Sequence, residues 1–415
     1  MNASPSLVGA HYDVARVRAD FPLLARSIQG KPLVYLDSAA SSQRPLAVLR
    51  AVEHYETTLH ANVHRGVHSL SQWATDAYER SRDTVRRFLN ARSSREIVFV
   101  RGTTEAINLV ANSWGRPNLR AGDEVLITYL EHHANIVPWQ MICAATGATL
   151  RAAPINAIGE LDMAAFREML NPRTKLVAVA HVSNALGTVL PVQEIVRLAH
   201  AQGVPVLLDG AQAVAHATVD VQALDCDFYA FTGHKLYGPT GIGVLWGRRE
   251  LLDAMPPFLG GGEMISSVTY ERSTWAEVPH KFEAGTPPIL EGIGLKAAID
   301  YVQAIGYEAI AAHESSLVDH ALARLDAIEG VHILGRAQER GGVVAFTVDR
   351  AHAHDVATLL DRQGIAVRAG HHCAEPLTHR FGVDSTARAS FAIYTTHDEI
   401  DFLADSLERV REFFK

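Results

Sequence analysis

From about residue 95 onward, apolar and polar residues alternate in blocks with a regular rhythm. Short apolar runs stand at residues 97–100, 124–128, 149–152, 176–180, 205–208, 228–231 and 243–246. Runs of this length, bounded by glycine, proline and small polar residues, predict buried strands. Helical spacing fills several of the gaps, as at 104–112, 164–170 and 191–202. Strand and helix in alternation predict an α/β fold, with a mostly parallel seven-stranded sheet covered by helices on both faces.

The flanking regions read differently. Residues 11–30 predict an amphipathic helix and a connector, punctuated by Phe21–Pro22 and Gly30–Lys31–Pro32. A short strand at 33–36 runs into Asp37–Ser38–Ala39–Ala40–Ser41–Ser42, and helices follow at 46–60 and 73–90. After Gly260–Gly261–Gly262 a loop-rich stretch leads to Pro288 and then a long helix at about 290–304. Smaller elements follow at 309–328, 343–348, 355–363, 365–368, 388–392 and 397–414. They predict a smaller α+β C-terminal domain. The expected division is an N-terminal arm (1–30) packing with the small domain, a large domain (31–290) and a small domain (291–415).

Composition narrows the class. A chain of 415 residues can bury two cores, and 48% hydrophobic with 20% charged residues is ordinary for a soluble globular protein. A net charge of -8 disfavours a nucleic-acid partner. No apolar stretch is long enough to span a bilayer, and residues 1–10 lack the basic start and apolar core of a secretory signal. Cys143, Cys226 and Cys373 are too few and too scattered for a disulfide framework or a zinc cluster, so no metal site is expected. A reducing cytoplasm is the simplest placement, where any of the three could be a working thiol.

Sheets of this kind bind ligands beyond the carboxyl ends of their strands. After 97–100 come Arg101, Gly102, Thr103, Thr104 and Glu105, a glycine and two hydroxyls at a helix start, which suit an anion. After 124–128 come His132 and His133, and after 176–180 comes Asn184. Asp209 follows an apolar strand directly, so it is expected to be partly buried and to need a cationic or N–H partner; Gln212 is three residues on. Thr232, His234 and Lys235 close the series. A lysine in a partly desolvated loop can act as an amine nucleophile and form a Schiff base. Each feature has a plainer reading: an N-cap, a hydrogen-bonded loop histidine, a capping carboxylate, a solvated lysine. Taken together they suit a flat, phosphorylated, nitrogen-containing ring bearing an aldehyde, which describes pyridoxal 5′-phosphate (PLP).

The stretch from Val204 to Ala213, together with Thr232–Gly233–His234–Lys235, resembles class V enzymes of the fold-type I PLP-dependent transferases. The resemblance runs over nearly the whole chain. Glu131–His132–His133–Ala134–Asn135, Ala223–Leu224–Asp225–Cys226–Asp227 and Arg368–Ala369–Gly370–His371–His372–Cys373 narrow it to SufS-type cysteine desulfurases. The resemblance implies that Lys235 holds PLP covalently, Asp209 pairs with the ring nitrogen, Gln212 with the ring hydroxyl, and His132 stacks on the ring. It places Thr103, Thr104, Thr232 and His234 around the phosphate, with Asn184 also near the cofactor. Thr286 would complete the phosphate site from the other subunit of a homodimer. Arg388, Asn184 and Arg368 would hold the substrate.

Cys373 follows two histidines and lies near Arg368 in sequence; nearby positive charge raises a thiol's thiolate fraction. Cys143 and Cys226 read as packing residues. The resemblance implies that L-cysteine becomes L-alanine while its sulfur passes to Cys373 as a persulfide, supplying iron–sulfur cluster assembly. His132 would shuttle protons to or from the substrate thiol. His354 resembles the position that serves a zinc-containing SufU-type sulfur acceptor, with a SufE-type acceptor less favoured. Selenocysteine lyase and cysteine sulfinate desulfinase fit the same residues. An aminotransferase has no use for Cys373. A nucleotide-binding loop fails because Phe228 stands where the phosphate-loop pattern needs glycine.

Overall fold

A computed structural model describes residues 12–414. Residues 1–11 of the expected N-terminal arm therefore lie outside the described residues.

The seven apolar runs form one sheet. Its strands are β1 (Ile97–Val100), β2 (Glu124–Thr128), β3 (Thr149–Ala153), β4 (Thr174–Ala180), β5 (Val206–Asp209), β6 (Phe228–Thr232) and β7 (Gly243–Gly247). Their spatial order is β1-β7-β6-β5-β4-β2-β3. Neighbours from β6 through β3 pair in parallel, and β7 alone runs antiparallel to both of its neighbours. Alternate side chains take opposite faces, as the pleat requires. Ile97, Phe99, Val177, Val179, Leu208 and Phe231 join one apolar cluster. Val98, Val100, Leu176, Ala178, Leu207 and Ala230 join another. Both faces are therefore covered, which is why the strands read as nearly continuous apolar runs.

The expected helix at 104–112 is Thr103–Val110, and it continues into a wider π turn at Ala111–Gly115. The helices Leu46–Thr58 and Ser69–Phe88 pack against the long helix Ile289–Ile305. No helix among the described residues is long and apolar enough to cross a membrane.

The C-terminal part builds a second sheet from β8 (Val331–Leu334), β9 (Val343–Val348), β10 (Arg368–Gly370) and β11 (Thr386–Ser390), in the order β8-β9-β11-β10. Two local expectations need correction. The strand expected at 33–36 is confined to Val34–Tyr35, and it pairs in parallel with Ile365–Ala366. Val34 donates to the Gly364 carbonyl and Leu36 to that of Ala366, both at 2.9 Å, while the Leu36 carbonyl accepts the Ser390 amide at 2.8 Å. Val34 and Leu36 share the apolar cluster of Phe346, Leu360 and Leu403. The run expected at 365–368 is also divided, because Arg368–Gly370 leaves that pairing to join β11.

Candidate active site

A cavity of about 690 Å³ opens where β5 and β6 end, lined also by Arg368 and Arg388 of the C-terminal sheet. Its floor is set by the end of β5. Asp209 is buried, and its Oδ1 accepts the Ala211 amide at 2.9 Å. The chain then crosses the Tyr229 ring so closely that a Cβ on Gly210 would lie 2.2 Å from it. Only glycine lets the backbone turn there without displacing the ring. Burial pushes the Asp209 carboxyl upward, while the Ala211 N–H and the Lys235 charge oppose it. Gln212 donates from Nε2 to the Ala39 carbonyl at 2.9 Å.

Lys235 ends the single turn Gly233–Lys235 that follows β6. Burial pulls its amine down from 10.5 to about 8, against the opposing charge of Asp209. A sizeable neutral fraction near neutral pH makes it a competent nucleophile and base. His234 beside it is driven down to about 4, chiefly by burial.

One end of the cavity suits an anion. The helix Thr103–Val110 begins there, and the buried Thr103 Oγ1 has no hydrogen-bond partner within the chain. Gly243 on β7 comes so near Gly102 that a Cβ on Gly243 would lie 2.5 Å from the Gly102 Cα. Thr104, Thr232 and His234 line the same cavity, and a Cβ on Gly102 would lie 3.6 Å from Thr232 Oγ1.

His132 covers the cavity from a loop fixed by a buried carboxyl. Thr128 Oγ1 donates to Glu131 Oε1 at 2.6 Å, Asn135 Nδ2 to Glu131 Oε2 at 2.7 Å, and Trp139 Nε1 to Asn135 Oδ1 at 2.8 Å. Burial lifts Glu131 to about 7 in spite of these donors. Burial, with the Lys235 charge second, drives His132 down to about 3. The Ala134 amide donates to His132 Nδ1 at 3.0 Å, so the ring proton sits on Nε2. His132 is thus a neutral ring that can stack and donate from Nε2.

Arg388 of β11 also lines the cavity and is buried, donating to the Asn184 carbonyl at 2.7 Å and to Asp37 Oδ1 at 3.2 Å. Its Nε and the Asn184 Oδ1 are buried and have no hydrogen-bond partner within the chain. Arg368 is exposed at the cavity's edge.

Cys373 sits on the rim, exposed, in a constrained loop. Gly370, His372 and Cys373 all have positive φ, at 122°, 53° and 55°. Two successive non-glycine residues in that region cost about 1–3 kcal/mol each. The surroundings hold them there. Asn184 Nδ2 donates to the His372 carbonyl at 2.6 Å, and the His133 amide to the Cys373 carbonyl at 2.7 Å. The Glu375 amide donates to His133 Nε2 at 3.1 Å.

The cavity therefore gathers Lys235, Asp209, Gln212, His132, Thr103, Thr104, Thr232, His234, Asn184, Arg388, Arg368 and Cys373. Two expected residues lie elsewhere. Thr286 is exposed just after Glu283, which a buried ion pair with Arg82 at 2.6 Å anchors. His354 is exposed at the start of the helix Ala353–Asp361 and stacks on His352, with ring centroids 5.3 Å apart. Sequence reasoning missed Asp37 as the partner of Arg388, although it too follows a strand. It also missed His133 as the anchor of the Cys373 loop, for which spacing gives no signal.

The chain matches the Aminotransferase class-V family over residues 34–403. It is 57% identical over 401 residues to a cysteine desulfurase of Dickeya dadantii, covering 96% of this chain and 97% of the relative. It is 50% identical over 413 residues to a cysteine desulfurase of Synechococcus elongatus, covering 98% of this chain. That relative is longer, and the chain spans 66% of it. Among solved structures, the Escherichia coli cysteine desulfurase CsdA in its S-sulfonic acid form superposes with a TM-score of 0.91 at 41% identity. That match covers 97% of this chain and 100% of the other.

Proposed function

The chain belongs to the class-V aminotransferase family, and from that premise we propose that it is a PLP-dependent cysteine desulfurase. The observation that carries this reading is a thiol, Cys373, on the rim of the cavity that also holds Lys235 and Asp209. The residues fit PLP. Thr103 Oγ1 and Asn184 Oδ1 are buried without partners on the wall of one cavity, a carboxylate lies on its floor, and a neutral imidazole covers it.

In this reading Lys235 makes the covalent link, Asp209 holds the ring nitrogen, Gln212 the ring hydroxyl, and His132 the ring face. Thr103, Thr104, Thr232 and His234 hold the phosphate. When bound, PLP takes up the electrons released at the substrate α-carbon. Lys235, pulled down to about 8, removes and returns protons there. Arg388 and Asn184 grip the substrate carboxylate, with Arg368 assisting from the rim. His132 donates from Nε2 toward the substrate. Cys373 Sγ bonds to the substrate sulfur as the carbon–sulfur bond breaks; the carbon takes the electron pair and a proton and leaves as alanine. The proton count balances: two thiols become one persulfide S–H and one new C–H, with sulfur oxidised and carbon reduced.

The partners follow from the same reading. Exposed Val67, Trp73, Val268, Tyr270 and Trp275 suit burial against a second copy of the chain, which would bring Thr286 to the phosphate site. His354 and Cys373 stand on the same small domain, consistent with delivery to a SufU-type acceptor for iron–sulfur cluster assembly. A reducing cytoplasm keeps Cys373 free. The direct test is incubation of the purified protein with L-cysteine and a thiol reductant, measuring alanine and sulfide together. Equal yields support the proposal, and sulfide without alanine refutes it.

A further inference from the structure

The cysteine count pointed away from a metal, but a histidine cluster lies beside the reactive loop. His371, Glu375 and His379 place one ligand atom each within 4.8 Å of one another, the one such group among the described residues. Glu375 and His379 are one turn apart on the helix Glu375–Arg380, with His379 Nε2 3.9 Å from Glu375 Oε1. The His371 and His379 rings meet edge to face at 6.2 Å. We propose that these three side chains form a divalent-cation site, of the zinc class, on the rim of the cavity.

Two imidazoles and a carboxylate are a common three-ligand zinc set that leaves a fourth position open. Tetrahedral coordination at ordinary bond lengths needs ligand atoms about 3.3 Å apart. Small rotations of the exposed Glu375 and His379 side chains close the remaining gap. The placement has a consequence for the thiol. His371 and Glu375 stand two residues before and two after Cys373, so a bound ion closes a chelate across the loop. The loop is already held at His372 and Cys373. A metal fixes its outer side as well, and the thiol then meets large reagents less readily.

The test needs no turnover, so it is separable from the desulfurase reading. Holoenzyme is titrated with Co²⁺, following d–d absorption and metal stoichiometry after desalting. The expected result is one ion per chain in the wild type, lost in His379→Gln and in Glu375→Gln but kept in the double variant His352→Gln, His354→Gln. Zn²⁺ should slow alkylation of Cys373 several-fold in the wild type and leave His379→Gln unaffected. Absence of binding in the wild type, or binding unchanged in His379→Gln and Glu375→Gln, overturns the proposal. So does loss confined to the His352/His354 variant.

Discussion

The backbone amide of His133 donates to the carbonyl of Cys373 at 2.7 Å. The loop that carries the thiol is thereby fixed to the loop that carries His132. The adjacent histidines divide the work: His132 lines the cavity, while His133 Nε2 accepts the Glu375 amide just past the thiol.

His133→Ala removes that acceptor, at a cost of about 1 kcal/mol to the loop. Amides 372–375 should exchange hydrogen faster and kcat should fall several-fold, with the cofactor absorption band unchanged. Hydrogen exchange by mass spectrometry and a visible spectrum check both halves.

An amine reacts when neutral. Lys235 is depressed from 10.5 to about 8, so its neutral fraction falls tenfold for each pH unit below about 8 and levels above it. Covalent capture of PLP by cofactor-free protein should follow that curve. Stopped-flow absorption across the range tests it. A rate still climbing toward 10.5 would mean that the amine is not desolvated.

Arg388→Lys keeps the charge and loses the planar fork. A loss of roughly 10- to 100-fold in kcat/KM for L-cysteine is expected, mostly through KM. Steady-state kinetics separate the two parameters.

Gly210→Ala drives a methyl into the Tyr229 ring and should destabilise the protein by about 3 kcal/mol or more. Gly260, with open space around its would-be Cβ, should accept alanine with little change. Thermal unfolding of both variants provides the comparison.

The large sheet was legible because each strand is buried on both faces and reads as an apolar run. The rule that ligands sit beyond strand ends then led to Asp209, Lys235 and Thr103. It failed where partners are remote in sequence. Val34–Tyr35 looks like any short strand, and only the unfilled backbone groups at Gly364 and Ala366 decide which sheet takes it. The proton position on His132 depends on the Ala134 amide, which no residue pattern encodes. His371, Glu375 and His379 are spaced four apart, but a cysteine count does not register them.

The most direct measurement is mass spectrometry of the enzyme after one cycle with L-cysteine and no acceptor. The wild type should release one alanine per site and gain a single sulfur atom on the peptide containing Cys373, while Cys373→Ser should release almost no alanine. Alanine formed at the wild-type rate by Cys373→Ser, or sulfur found on Cys143 or Cys226 instead, would contradict the central step.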